Sequence, residues 1–278
     1  ICRTAKLERS IERIEAAVPA LVAARHAEGG PAAARAIMTT DTHAKEVVVE
    51  GDGFTVGGIA KGAAMLAPDM ATMLAVLTTD AAAEPDALGR ALAAAVAGTF
   101  NALSVDGCQS TNDTVLVLAG GASGRTPTAA ELGDALFRAC DSLAAQMAGD
   151  AEGATKVVRV RVTGAASADD AWRGARRIAE SQLCKCSWYG QDPYWGRVVS
   201  ELGSAGIAFD PDRVSVSYGG VTVCRGGVAA PHDDGAVREH MAGRHLEIVA
   251  RLGLGEGAAG VLTNDLTHAY IDENMGTS

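Results

Sequence analysis

The first regular pattern along the chain lies at residues 4–27, where Leu7, Ile11, Ile14, Val18, Leu21 and Val22 recur every three or four positions. That spacing predicts an amphipathic helix, closed by Gly29, Gly30 and Pro31. Period two takes over next. EVVVE (46–50) and FTVGGIA (54–60) read as paired strands across a tight turn at Gly51, Asp52 and Gly53. Residues 84–103 are Ala-rich and helical, opened by Glu84, Pro85 and Asp86, which suit a first helical turn. VLVLA (115–119) reads as a buried strand. A second long helix over 129–147 places Leu132, Leu136, Cys140, Leu143 and Met147 on one face. KVVRVRVTG (156–164) alternates as a strand, and a helix follows from Ser167, a suitable N-cap, towards Ser181. RVSVSYGGVTVC (213–224) has the form of a hairpin turning at Gly219 and Gly220. A polar helix over 233–243 and a strand at LEIVARLGLG (246–255) complete the series. Strands and helices in mixed order predict a layered α/β or α+β architecture. A soft boundary near 157–165 divides it into two lobes, with no internal repeat and no long linker.

Composition narrows the class. Apolar residues make up 48% and charged residues 21%, which excludes intrinsic disorder. No apolar run approaches the ~18 residues of a membrane-spanning helix. Aromatics are only 4%, so the core has to be built from Val, Leu, Ile and Ala. Net charge is −10, with 34 acidic against 24 basic residues, and no basic stripe. Nucleic acid and anionic membrane surfaces are therefore poor partners, since phosphate neutralisation supplies most of such affinity. The six cysteines (Cys2, Cys108, Cys140, Cys184, Cys186, Cys224) are scattered, unlike the dense spacing of a secreted disulfide scaffold. A reducing cytoplasm is the expected compartment. The chain opens on Ile1 rather than Met, with no export signal beside it, so either something has been removed or the sequence is a fragment.

Residues 57–82, GGIAKGAAMLAPDMATMLAVLTTDAA, are the densest run of unusual local sequence. The chain has only five lysines, and Lys61 stands between small residues in an apolar stretch. One reading is a strand-end lysine that snorkels to solvent; the other is a cation set to meet a substrate carboxylate. Thr72, between Ala71 and Met73, is by itself an ordinary threonine in a buried segment.

The segment KGAAMLAPDMATMLAVLTTDA (61–81) resembles the self-cleavage region of the ornithine acetyltransferase family, the bifunctional glutamate N-acetyltransferases of arginine biosynthesis. Further stretches match that family in order: IMTTDTHAKEV (37–47), FNALSVDGCQSTNDTVLVLA (100–119), DAEGATK (150–156), GQDPYWGR (190–197) and DLTHAYIDEN (265–274). The resemblance runs along almost the whole chain. It implies an αββα sandwich similar to that of N-terminal-nucleophile hydrolases, with a smaller C-terminal α/β lobe. Residues 1–157 would form the catalytic lobe and 158–278 the second lobe. It further implies self-cleavage between Ala71 and Thr72, giving a partial α chain (1–71) and a β chain (72–278), assembled as an α2β2 heterotetramer.

The chemistry suits the residues. A threonine hydroxyl is a weak nucleophile and needs a base. Once Thr72 is an N-terminus, its own α-amino group, with a reference pKa of about 7.7–8, serves at neutral pH. The resemblance implies that an acetyl group passes from N2-acetylornithine to Thr72 and then to glutamate. No metal or organic cofactor enters, although acetyl-CoA is an alternative acetyl donor. Carried over residue by residue, the substrate contacts are Lys61, Thr39 (preferred over Thr40), Glu152, Asn274 and a terminal hydroxyl at Ser278 or Thr277. The plainer readings are a solvated loop charge for Glu152 and a frayed tail for Asn274.

Other patterns are discounted. Gly255, Gly257 and Gly260 match a dinucleotide fingerprint, but VLTND after them reads as a strand and not a helix. Cys184 and Cys186 lack a partner pair at zinc spacing and read as buried thiols. The polar cluster Ser110, Thr111, Asn112, Asp113 and Thr114 reads as turn and cap chemistry.

Departures from the family pattern are also visible. Its members carry roughly a hundred further residues upstream, including a Thr-Gly oxyanion hole, so this 278-residue piece alone is expected to be inactive. Each such donor contributes ~2.7–4 kcal/mol to acyl transfer. Gln182, Cys184, Cys186, Tyr194 and a short tail after Asn274 also differ from the family. Two rivals stand beside the acetyltransferase reading. One is an amidase or aminopeptidase on the same scaffold, with water as acceptor. The other is a non-catalytic homologue that binds an amino acid or a partner chain.

Overall fold

A computed structural model of the chain describes residues 7–64, 73–108 and 113–275. Ala71, Thr72, Thr277 and Ser278 lie outside the described residues, as do Ser110, Thr111 and Asn112.

The N-terminal part runs α1 (Leu7–Ala23), α2 (Gly30–Ala36), β1 (Lys45–Glu50), β2 (Thr55–Lys61), β3 (Leu74–Thr79), α3 (Pro85–Gly98), β4 (Thr114–Ala119) and α4 (Ala129–Gly149). The first helix ends at Ala23, short of residue 27 and ahead of the glycines expected to close it. Pro31, however, opens a second short helix, because proline fits a first turn whose N–H groups lack partners anyway. The Ala-rich helix stops at Gly98, ahead of its expected end, and a 3-10 turn covers Phe100–Ala102. The four strands form one sheet in the order β1-β2-β3-β4, antiparallel except for the β3/β4 pair.

Helix α4 carries the sheet's core. Its N-terminus is a capping box, in which Thr128 accepts from the Glu131 N–H and Glu131 accepts from the Thr128 N–H. Leu132, Leu136, Cys140, Leu143 and Met147, the predicted stripe, are all buried. Gly58 on β2 lets that helix come close: a Cβ there would stand 3.3 Å from Leu143. The opposite face of the sheet is open, with Val48 72% and Leu118 60% exposed. The apolar stripe of α1 (Ile11, Ile14, Val18, Leu21, Val22) is exposed too, and no element among the described residues covers either surface.

The C-terminal part runs β5 (Val157–Ala165), α5 (Ala168–Ala179), α6 (Gln182–Tyr189), α7 (Trp195–Ser204), β6 (Ser215–Tyr218), β7 (Val221–Arg225), β8 (Val228–Ala229), α8 (Asp234–Ala242), β9 (His245–Arg251), β10 (Gly257–Asn264) and α9 (His268–Asn274). Its six strands lie in the order β10-β5-β9-β6-β7-β8, and α5 packs on β5 and β10. Val158, Val160 and Val162 from β5 meet Ala171, Ala175 and Ile178 from α5 in a second core. The two parts are stitched together at one seam: Val157 and Leu262 join the first core, and the Ser104 N–H donates to the Leu262 carbonyl at 2.8 Å. The whole is a mixed α/β fold with two sheets, and no helix among the described residues is long and apolar enough to cross a membrane.

Candidate active site

All four lysines among the described residues are buried: Lys45, Lys61, Lys156 and Lys185. A buried ammonium is tolerated only where acceptors replace its lost water. Lys156 donates to the carbonyls of Met241, Ala242 and Gly243 at the end of α8. Lys185, on α6, donates to the carbonyls of Val105 and Asn264 and to Asn264 Oδ1, at 2.8, 2.9 and 2.7 Å, across the seam between the sheets. Burial pulls its pKa down to about 7, with Asp106, Asp265 and Glu180 opposing that shift.

Lys61 is placed differently. It ends β2, is only 7% exposed, and donates to Thr39 Oγ1 at 3.3 Å. The snorkelling alternative therefore fails, since the side chain turns inward. Strand pairing sets Lys61 opposite Leu74, and Leu74 opposite Thr114. Lys61, Met73 and Asp113 thus share one end of the sheet. Asp113 Oδ1 accepts the Met73 N–H at 2.6 Å, while Oδ2 is buried with no hydrogen-bond partner among the described residues. Burial raises the Asp113 pKa, and the Met73 N–H and the Lys61 charge offset only part of that rise. A buried carboxylate oxygen without a donor is costly and calls for a functional explanation.

A second group comes from the loop after α4. The Glu152 N–H donates to the Ala63 carbonyl at 3.0 Å, two residues beyond Lys61. Glu152 Oε2 accepts from Asn274 Nδ2 at 2.9 Å, at the end of α9. That short helix is pinned by Thr267, whose hydroxyl caps Tyr270 and donates to the Gly153 carbonyl at 2.7 Å. The structure therefore brings Thr39, Lys61, Glu152 and Asn274 into one neighbourhood from four separate stretches. Thr40 has a different role from Thr39, lining a cleft of about 330 Å³ with Thr42, His43, Glu152, Arg244 and Glu273.

Thr42, His43 and Asp150 lie in contact but form no charge relay. Thr42 Oγ1 and Asp150 Oδ1 both face the same ring nitrogen, Nδ1, at 3.2 and 3.0 Å, whereas a relay needs one partner on each nitrogen.

Two expectations need correction. Asp113 belongs to the strand-end group at Met73 and is more than turn chemistry, because its carboxylate is buried against a backbone N–H forty residues away. Cys186 is exposed and not a buried thiol, because α6 turns only Cys184 inward, where burial pushes its pKa up to about 11. Among the described residues no three His, Cys, Asp or Glu side chains are arranged to hold a metal ion. Gly257 and Gly260 lie within strand β10, so the dinucleotide pattern lacks its helix.

The family model described as "ArgJ family" matches residues 5–276. An arginine biosynthesis bifunctional protein from Mycobacterium bovis is 54% identical over 251 residues, covering 90% of this chain and 61% of the relative. One from Streptomyces avermitilis is 49% identical over 269 residues, covering 96% of this chain and 69% of the relative. A crystal structure of an arginine biosynthesis bifunctional protein from Bacillus halodurans matches with a TM-score of 0.68 at 33% identity, covering 72% of this chain and 96% of that one. The chain thus spans about three fifths of the length of the mycobacterial relatives it matches. With half its positions shared across nine tenths of its length, and its two-sheet fold shared with a crystallised member, this chain belongs to the ArgJ family.

Proposed function

We propose that this site carries out acetyl transfer from N2-acetylornithine to glutamate in arginine biosynthesis, through an acetyl ester on Thr72 formed after the chain cuts itself between Ala71 and Thr72. The observation that carries the reading is Asp113, which accepts the Met73 N–H one peptide bond from Thr72 and lies within reach of the Lys61 charge. In the transfer, the Thr72 hydroxyl attacks the acetyl carbonyl and its proton passes to the new α-amine. That amine delivers the proton to the departing ornithine nitrogen. Attack by the glutamate amine on the ester then forms N-acetylglutamate and restores the hydroxyl. The second Asp113 oxygen is an acceptor suited to an ammonium at the head of β3.

The neighbouring cleft fits the substrates. Glu152 and Glu273 offer acceptors to ammonium groups, and Arg244 and His43 offer donors to a carboxylate, which is the pattern a zwitterionic amino acid requires. Length supports the cut: the crystallised relative's chain is about three quarters as long as this one, close to the 207 of 278 residues that cleavage before Thr72 leaves. The cut chains then assemble as α2β2. Assaying the full-length protein for acetyl release from N2-acetylornithine with and without glutamate tests the transfer. Glutamate-dependent formation of N-acetylglutamate supports it. Release at the same rate into water makes the protein an amidase, and no release leaves a binding protein.

A further inference from the structure

Beneath the substrate-facing residues lies a buried ion cluster that the proposed chemistry does not use. Lys45, the first residue of β1, is 0% exposed. Its Nζ lies 2.6 Å from Asp41 Oδ1 and 2.5 Å from Asp150 Oδ2, and it also donates to the His43 carbonyl at 3.4 Å. Asp41 and Asp150 are 109 residues apart in the chain, and this one ammonium joins them.

Each carboxylate in turn holds backbone. Asp41 accepts the N–H of Thr39 at 3.1 Å and of Gly62 at 2.7 Å. Asp150 accepts the N–H of Thr42 at 3.0 Å together with the Thr42 hydroxyl. Thr39 and Gly62 flank the Lys61 side of the site, and Asp150 precedes Glu152 by two residues. Burial works to raise both carboxyl pKa values, but the Lys45 hydrogen bonds and these N–H and hydroxyl donors outweigh it, so both stay ionised below the ordinary range. Two carboxylates and one ammonium leave a single net negative charge inside the protein.

We propose that Lys45 is a positioning residue, whose buried ammonium clamps Asp41 to Asp150 and thereby sets the distance between the Thr39 and Lys61 side of the substrate site and the Glu152 side. This rests on the reading of that site given above. An apolar side chain of similar length could fill the same space but has no donor with which to tie the two carboxylates. Removing one partner from a buried ion cluster leaves an uncompensated charge. The titratable groups facing the cluster are Asp41, Asp150 and the exposed His43, which lies 3.0 Å from Asp150.

The clamp and simple charge balance are separable. K45M leaves two unpaired carboxylates, whereas K45M/D41N restores the original net charge and keeps a side-chain amide oxygen at position 41 for the Gly62 N–H, at the loss of the acceptor that Thr39 uses. Both variants, in the full-length protein, are measured for melting temperature, for KM and kcat, and for amide exchange at Thr42 and Gly62. In K45M the melting temperature falls, KM rises about tenfold or more while kcat changes less, and exchange at both amides quickens. In the double variant the melting temperature recovers but KM stays raised, since nothing joins residue 41 to Asp150. A KM that returns with the melting temperature, or amide exchange unchanged in a folded K45M, overturns the clamp. If the wild type lacks acetyl transfer, the functional reading fails by itself, and the amide exchange still decides the clamp.

Discussion

Gly153 offers a severe test of how the Glu152 loop and α9 depend on each other. Its φ is +66°, and a Cβ there would stand 2.3 Å from the Tyr270 nitrogen, 2.7 Å from the Ala269 carbonyl carbon and 2.9 Å from the Tyr270 Cα. All three are backbone atoms, so no side-chain rotation relieves the overlap. In G153A, either the strain stays in place or α9 lifts away. The left-handed conformation costs an alanine about 1–2 kcal/mol in either case, and overlap borne in place adds about 1–3 kcal/mol for overpacking. Lifting costs less, because α9 buries no residue fully and is tied mainly through Thr267 to Gly153 and Asn274 to Glu152. Two such bonds are worth about 1–2 kcal/mol together, or roughly 3–6 °C in a chain of this size. With the left-handed cost added, the variant should melt roughly 6–12 °C lower, while amide exchange over 268–274 quickens to the level of a frayed terminus and KM for ornithine-type substrates rises. Calorimetry with hydrogen exchange by mass spectrometry reads both. Unchanged protection of 268–274 beside a lowered melting point refutes the reasoning, since it would mean that α9 stays docked and the strain is borne throughout.

Asp113→Asn keeps an acceptor for the Met73 N–H but removes a carboxyl whose folded pKa is raised by burial. Between pH 3.8 and that raised value the native state holds the proton and the unfolded chain does not, so the group's contribution to stability falls as pH rises through the window. At neutral pH the variant should melt no lower than wild type while acetyl transfer drops about 10²-fold or more; a lower melting point with full activity contradicts the assignment. Lys185 gives the opposite slope. Its folded value of about 7 lies below the ordinary 10.5, so between these the unfolded chain binds the proton and the native state does not. Stability through this group should climb with pH over that window, by about 1 kcal/mol per pH unit, and K185M should lose the rise. Denaturant titrations of both proteins at pH 7, 8 and 9 measure it, and parallel stability curves would show that Lys185 stays charged.

Period alone made much of the fold legible. The alternation at 156–164 and the five-residue stripe of 129–147 became β5 and α4 with their predicted faces inward. The short helices α6, α7 and α9 left little trace, for stated reasons. The buried face of α6 includes Lys185 and Ser187, so polar residues stand where an apolar stripe would signal a helix. Helix α9 buries nothing fully and exists because Thr267 caps it against Gly153. Strand β3 was hidden inside the stretch that drew notice for its chemistry. At the site, Lys61, Glu152 and Asn274 were legible through motif resemblance, and the structure brings them together. Asp113 and Lys45 were not, because a carboxylate bonded to an N–H forty residues away, or an ammonium shared between residues 41 and 150, has no local pattern. The scarcity of lysine was the available clue: the four among the described residues are all inside, each with a different set of partners.

Whether Thr72 is freed as an N-terminal nucleophile decides the proposed function, and the intact mass of the purified protein tests it most directly. The expected result is a separate chain whose first residue is Thr72, 207 residues long if counted to Ser278, carrying an added acetyl group after brief exposure to N2-acetylornithine without glutamate. Thr72→Ala should give one uncut chain that never gains the acetyl mass. A wild-type protein that stays uncut, or a chain cut elsewhere, contradicts the proposal.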